Sequence, residues 1–370
     1  MVIATGALTS ATLAPVLVGL YIDDLKLTAG LASLAVAAEN LAYACGLLLF
    51  YVTLHKLPRR RLATAGLAVM IVSSLVTAGA SGFWALILIR TVFGLALGLA
   101  ASTVFAAFAA RPDPQKAWGL ANFINLTYAA ALLSASGWIS EHYGLIGIAT
   151  VLAVVAAIGL ACTSALPPRA PAVTATHRAQ RSPPTRSRAV PATCGVLALF
   201  FLYAGHTTLW SFQERMGVNL GMSRTQVGFL LGVSVLGAIL GSGAALLVSG
   251  RWGRLGPSVA AYAGLLASTL LLAASSQTAY IAGAILIKTA WFFGLPFVLG
   301  AVARLDPTGR WSTLGAAMLA FGSALGPALA APVAQFGMSA VALLAAGFYA
   351  LSLVLTFPLF RADSVSGLPG

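Results

Sequence analysis

Four ionisable side chains of this chain lie deep inside apolar runs: Glu39, Arg90, His206 and Lys288. An ionisable group at membrane depth is costly unless it is paired or wetted, so each marks either a working site or a fixed pair. Arg90 offers a two-pronged fork and Lys288 a point charge, and both chemistries suit an anion such as a carboxylate or phosphate. Arg90 could equally be held structurally, by Glu39 or by a helix-end carbonyl. Glu39 is the acid at this depth, and either carries a coupling proton or neutralises Arg90. A lone histidine on an apolar helix is either a functional group or a hydrogen-bonded core residue, and both readings stand for His206.

The segment around His206 is the most polar of the apolar runs, from Tyr203 to Arg215. His206, Trp210 and Gln213 fall at i, i+4 and i+7, which puts them on one helical face. That face could bind substrate with one aromatic and two hydrogen-bonding groups. The alternative for Trp210, Gln213 and Glu214 is an interfacial belt at the membrane surface. Glu214 and Arg215 suit an external gate or a surface pair. Asn122, Asn125 and Tyr128 recur at i, i+3 and i+6, either as cavity-lining amides or as hydrogen-bonding glue between helices. Trp291, three residues after Lys288, is placed to stack on a substrate. The pattern holds no nucleophile–base arrangement, metal-ligand cluster or phosphate loop. No enzyme activity, metal or cofactor is therefore expected.

The elements that carry these residues follow from composition. Of 370 residues, 59% are hydrophobic and 8% charged, with a mean hydropathy of +0.94. A soluble domain carries about 25% charged residues, so soluble enzymes, secreted domains and disordered chains are excluded. The apolar runs are continuous rather than alternating, which requires helices and not a barrel. We expect an all-α polytopic membrane protein of twelve transmembrane helices. They fall near 2–22, 29–52, 62–81, 83–108, 117–139, 144–166, 194–213, 224–249, 257–275, 279–303, 312–334 and 336–360. Counted along these helices, the four embedded ionisable residues lie within roughly 5 Å of one level. Pro15, Pro296, Pro327 and Pro332 should kink their helices.

The net charge of +13 reads as positive-inside topology rather than as affinity for nucleic acid. With the N-terminus cytoplasmic, sixteen Lys and Arg fall on inner loops and three on outer loops. Both termini are then cytoplasmic. Nothing resembles a cleaved signal peptide, so the first span is expected to be retained. Cys45, Cys162 and Cys194 follow no motif spacing and read as small apolar residues. The segment 167–193, with six Pro, five Arg and no acid, reads as a flexible cytoplasmic linker against anionic lipid. It divides the chain into bundles at 1–166 and 194–360, with a cytoplasmic tail at 361–370.

The bundles repeat. Ile87-Leu88-Ile89-Arg90-Thr91 recurs as Ile285-Leu286-Ile287-Lys288-Thr289, and at the same offset Ala65-Gly66-Leu67 recurs as Ala263-Gly264-Leu265 and Gly30 as Gly228. Over essentially its full length the chain resembles the major facilitator superfamily. The loop His55-Lys56-Leu57-Pro58-Arg59-Arg60-Arg61 keeps the basic charge of that family's signature loop without its glycine or acid. Gly250-Arg251-Trp252-Gly253-Arg254 is closer. Arg90, Gly94 and Gly98 resemble the family's arginine motif in the fourth helix. The glycine-proline motif of drug antiporters is missing from the fifth helix, although Gly322 to Pro327 has a similar look.

The resemblance implies two pseudo-symmetric six-helix bundles in the superfamily fold. It also implies a central cavity lined by the first, fourth, seventh and tenth helices. We therefore expect a monomeric secondary transporter in a bacterial inner membrane, moving a small organic anion by alternating access and coupled to protons or another ion. Arg90, Lys288, His206, Trp210, Gln213, Asn122, Asn125, Tyr128 and Trp291 would hold substrate, and Glu39 would carry the proton. The alternatives are proton-coupled efflux of drug-like compounds, and a non-transporting receptor or scaffold.

Overall fold

The computed structural model describes residues 2–52, 57–109, 114–166, 186–248, 253–305 and 310–365. Eleven α-helices account for nearly all of them, with no strand among the described residues. They are α1 (Val2–Asp23), α2 (Ala29–Val52), α3 (Arg59–Thr77), α4 (Phe83–Ala109), α5 (Pro114–Ala161), α6 (Arg186–Asn219), α7 (Arg224–Val248), α8 (Leu255–Ala273), α9 (Gln277–Arg304), α10 (Arg310–Val333) and α11 (Met338–Val365). Among the described residues, ten helices are long and apolar enough to cross a membrane.

The chain is an integral membrane protein, and its surface fits that setting. Trp84, Leu246 and Phe336 are each more than three-quarters exposed. Bare apolar surface on this scale is stable only against lipid.

α5 contains 48 residues, about 72 Å of straight helix, more than twice the bilayer core. It is interrupted at Gly144 (φ 56°, ψ −146°). The chain turns there, because Ile139 lies against Gly147, which a straight helix would hold about 12 Å away. Asp24 at the end of α1 accepts the Leu145 N–H at 2.7 Å and so caps the second limb. A side chain at 144 would be strained by the positive φ and would meet Asp24 Oδ2 at 2.6 Å. Counting the two limbs of α5 separately brings the helices among the described residues to twelve, near the expected number of spans.

Most boundaries fall within three residues of expectation. α3 ends four residues early and α11 runs five residues longer, and α6 departs most: it begins at Arg186, so the last part of the expected linker is helical. The rest of the linker, at 167–185, lies outside the described residues, as do His55, Lys56, Gly250, Arg251, Trp252 and the end of the tail. The proline positions inside α1, α9 and α10 are within continuous helix.

By packing, the chain forms two units: Met1–Thr174 with Gly221–Gly232, and Ala175–Leu220 with Val233–Gly370. The start of α7, placed by sequence in the second bundle, groups with the first unit. Two contacts explain this. Arg224 pairs with Asp23 at 2.5 Å, and Thr225 donates from both its backbone N–H and its hydroxyl to Glu141.

Candidate functional site

In the first unit the polar centre is built on the α2–α4 seam. A Cβ at position 94 would overlap the backbone carbonyl oxygen of Glu39, so glycine there lets the two helices touch backbone to backbone. One turn before Gly94, Arg90 then faces Glu39 across the seam. Arg90 donates from Nε at 2.9 Å and from Nη2 at 2.5 Å to Glu39 Oε2, and from Nη2 to Ser10 Oγ at 2.6 Å. Its guanidinium also lies 4.1 Å from the Phe93 ring centre. Arg90 is fully buried, and Glu39 almost so.

This is the structural pairing that the sequence left open, and it commits most of the arginine fork. Nη1 remains without a hydrogen-bond partner, as does the hydroxyl of the fully buried Tyr21. Ser10 and Phe93 were not foreseen.

Of the candidates on α5, Tyr128 shares a hydrogen bond with Thr9 of α1 at 3.1 Å, which is helix–helix glue. Asn125 is half-buried with its Oδ1 unpartnered, and Asn122 is exposed. These three do not converge on one point.

In the second unit, α6 and α9 run antiparallel and meet along one seam of aromatic and polar side chains. At one end, the Tyr280 hydroxyl donates to the Gln213 carbonyl at 2.6 Å. Next, the Lys288 ammonium lies 3.4 Å from the centre of the Trp210 ring. Beyond that, the His206 ring stacks on Trp291 at 4.1 Å and 22°. Tyr203 meets Trp291 edge-on at 5.3 Å. The His206 and Trp210 rings are nearly parallel, 5° apart in tilt, with centres 6.5 Å apart.

The helical spacing of His206, Trp210 and Gln213 thus produces the shared face expected of it. All three are buried within the protein, as is Glu214, so the interfacial-belt alternative does not hold. Lys288 takes part in no ion pair among the described residues. His206 Nδ1 and both amide atoms of Gln213 have no hydrogen-bond partner.

Four predicted residues therefore come together in the second unit, His206, Trp210, Lys288 and Trp291, with Gln213 buried three residues past Trp210 on the same helix. Tyr203 joins them unforeseen, although its position one turn before His206 was a usable signal. The arrangement offers flat aromatic faces, one cation and several uncommitted hydrogen-bonding atoms. Among the described residues no cluster of His, Cys, Asp or Glu could hold a metal ion.

The family model described as Major Facilitator Superfamily matches residues 1–309 of the chain. No curated protein sequence matches significantly. Among solved structures, the crystal structure of nucleoside transporter NupG superposes with a TM-score of 0.71 at 14% identity, covering 98% of this chain and 97% of that one. A variant of the same transporter gives 0.69 at 14% identity, covering 98% of each. At this identity the likeness is one of fold.

Proposed function

Because the chain belongs to the Major Facilitator Superfamily, we propose that it is a secondary transporter, not an enzyme, and that its substrate is a small polar solute with a planar ring, of the nucleoside class. The observation that carries this reading is the stack of His206 on Trp291 beside the parallel Trp210 ring. Aromatic faces of this kind hold a heterocycle by offset stacking. Lys288, above Trp210, supplies a donor to a sugar or ring oxygen. The nucleoside transporter among the fold neighbours shows that this fold can carry a substrate of that class.

The charge balance also argues against a site built on two cations. An anion site was expected from two cations, Arg90 and Lys288. With Arg90 bonded to Glu39, their charges cancel, and of the two only Lys288 is left without a carboxylate partner among the described residues. A small organic anion stays as the second reading because Lys288 has no carboxylate partner among the described residues. Glu39 takes the coupling proton in this proposal. Protonating it would release Arg90 from its pair, so the proton and the conformation of this unit would be linked. In this reading the protein belongs to a bacterial inner membrane, and the excess of basic residues on one set of loops supports an orientation with both termini cytoplasmic.

The test is uptake into proteoliposomes of labelled uridine, adenosine, a small monocarboxylate and a lipophilic cation, with and without an inward proton gradient. Saturable nucleoside uptake stimulated by the gradient is expected. Uptake of the carboxylate alone would replace this reading with the second.

A further inference from the structure

Gln213 is the polar group of the second unit that packing leaves least explained. It is fully buried, and neither its Nε2 nor its Oε1 has a hydrogen-bond partner. A buried carboxamide can make up to four hydrogen bonds, and leaving a buried donor and acceptor both unmade is costly. Leucine or methionine would fill the same space without that cost. The residue is also held in place: its own carbonyl accepts from the Tyr280 hydroxyl at 2.6 Å, which pins this turn of α6 to α9. It stands three residues past Trp210 and seven past His206, on the face they share. His206 Nδ1 on the same face is likewise unpartnered.

Resting on the nucleoside-class reading above, we propose that Gln213 is the specificity-determining residue of this site. It reads the edge of the substrate ring that carries a hydrogen-bond donor beside an acceptor. A ring carbonyl accepts from Nε2 while the neighbouring ring N–H donates to Oε1. The stacked rings select for flatness, and the carboxamide selects for that paired edge. The substrate is then a heterocycle with a cyclic amide or its amino-imine counterpart, as in the pairing edge of a pyrimidine base. A ring alkylated on that nitrogen is refused. No bond is made or broken, so the discrimination is one of affinity, and a site built to hydrogen-bond such an edge rejects the analogue lacking it strongly.

The experiment compares uridine with 3-methyluridine in the purified full-length protein. Both are read by ligand-induced change in tryptophan fluorescence, since Trp210 and Trp291 border the site, and by competition for uptake in proteoliposomes. Wild type should prefer uridine at least tenfold. Gln213→Met should lose that preference by weakening uridine to the level of the methylated ring, with unliganded melting unchanged or higher. If the methionine variant fails to fold, Gln213→Leu serves for the same comparison.

A preference that persists in the variant would overturn the role of Gln213 and leave the nucleoside reading intact, because the methyl group would then be excluded by shape. If wild type binds uridine and 3-methyluridine equally, the edge-reading role fails while the stacking site stands. If wild type responds to neither, the nucleoside reading fails and takes this role with it.

Discussion

The Lys288 ammonium of α9 rests 3.4 Å from the centre of the Trp210 ring on α6. A cation over an indole face is attracted to it electrostatically, more so where water is excluded. The contact packs Lys288 against Trp210, and among the described residues Lys288 forms no ion pair.

Lys288→Met should therefore remove the charge, keep much of the side-chain length and cut uptake at least tenfold, with a melting temperature within a few degrees of wild type. Lys288→Arg should retain part of the activity. Uptake in proteoliposomes beside thermal melting in detergent separates loss of function from loss of fold. Normal uptake by the methionine variant would remove Lys288 from the transport site.

The Glu39–Arg90 pair predicts a different pattern. Removing either partner alone leaves a buried charge uncompensated and should destabilise by about 3–5 kcal/mol. Removing both charges together, as Glu39→Gln with Arg90→Gln, should recover a large part of that loss. Reversible unfolding in mixed micelles measures the cycle, and additive effects would mean that the two side chains are not energetically coupled. In the same Glu39→Gln variant, a pH-sensitive dye inside the vesicles should show uptake that no longer moves protons.

Two glycines make a paired test of helix contact. Gly94→Ala places a Cβ against the Glu39 carbonyl oxygen and 3.1 Å from the Ala42 Cβ, so α2 and α4 must part and the melting temperature should fall by several degrees. Gly347→Ala meets nothing within 4 Å. It should be neutral or stabilising by up to about 1 kcal/mol, as expected for replacing glycine in a helix. Equal effects at the two positions would contradict the close α2–α4 approach.

Asp24 caps the second limb of α5 through the Leu145 N–H. Asp24→Ala should cost about 1 kcal/mol, as loss of a helix cap does. Asp24→Asn keeps an acceptor and should cost less. Gly144→Ala should be the worst of the three, since it adds backbone strain of about 1–3 kcal/mol in a region essentially reserved for glycine to the clash with Asp24 Oδ2. Thermal melting ranks them, and an order with Asp24→Ala lowest would show that the cap outweighs the backbone.

How much of this was legible in the sequence depends on the range of the interaction involved. The helices follow from runs of apolar residues, which are local, and nearly all were placed to within a turn. The shared face of His206, Trp210 and Gln213 follows from helical spacing, also local. Ser10 was not foreseen because its tie to Arg90 spans 80 residues, and an isolated serine in an apolar helix has no spacing that announces a partner. The Glu39–Arg90 pair could be named as one of two possibilities but not chosen, because the choice depends on the backbone contact at Gly94. Asn122 and Asn125 looked like partners of Tyr128 by period alone, yet only Tyr128 finds a hydroxyl opposite it. The antiparallel register of α6 on α9, which brings Trp291 to His206 and Lys288 to Trp210, is a tertiary fact with no counterpart in either helix read alone.

The turn at Gly144 bears on how the membrane sidedness of this protein can be measured. Two membrane-length limbs meet there with hardly a residue between them, and a neighbouring carboxylate occupies the space beside it. No slack is left for a protease to cut, for an antibody to grasp or for a reporter peptide to be spliced in. A tag inserted at that corner would record damage to the bundle instead of which side of the membrane the corner faces. Sidedness reporters should be placed elsewhere, and this corner approached only with single-residue labels on the exposed His142 or Tyr143.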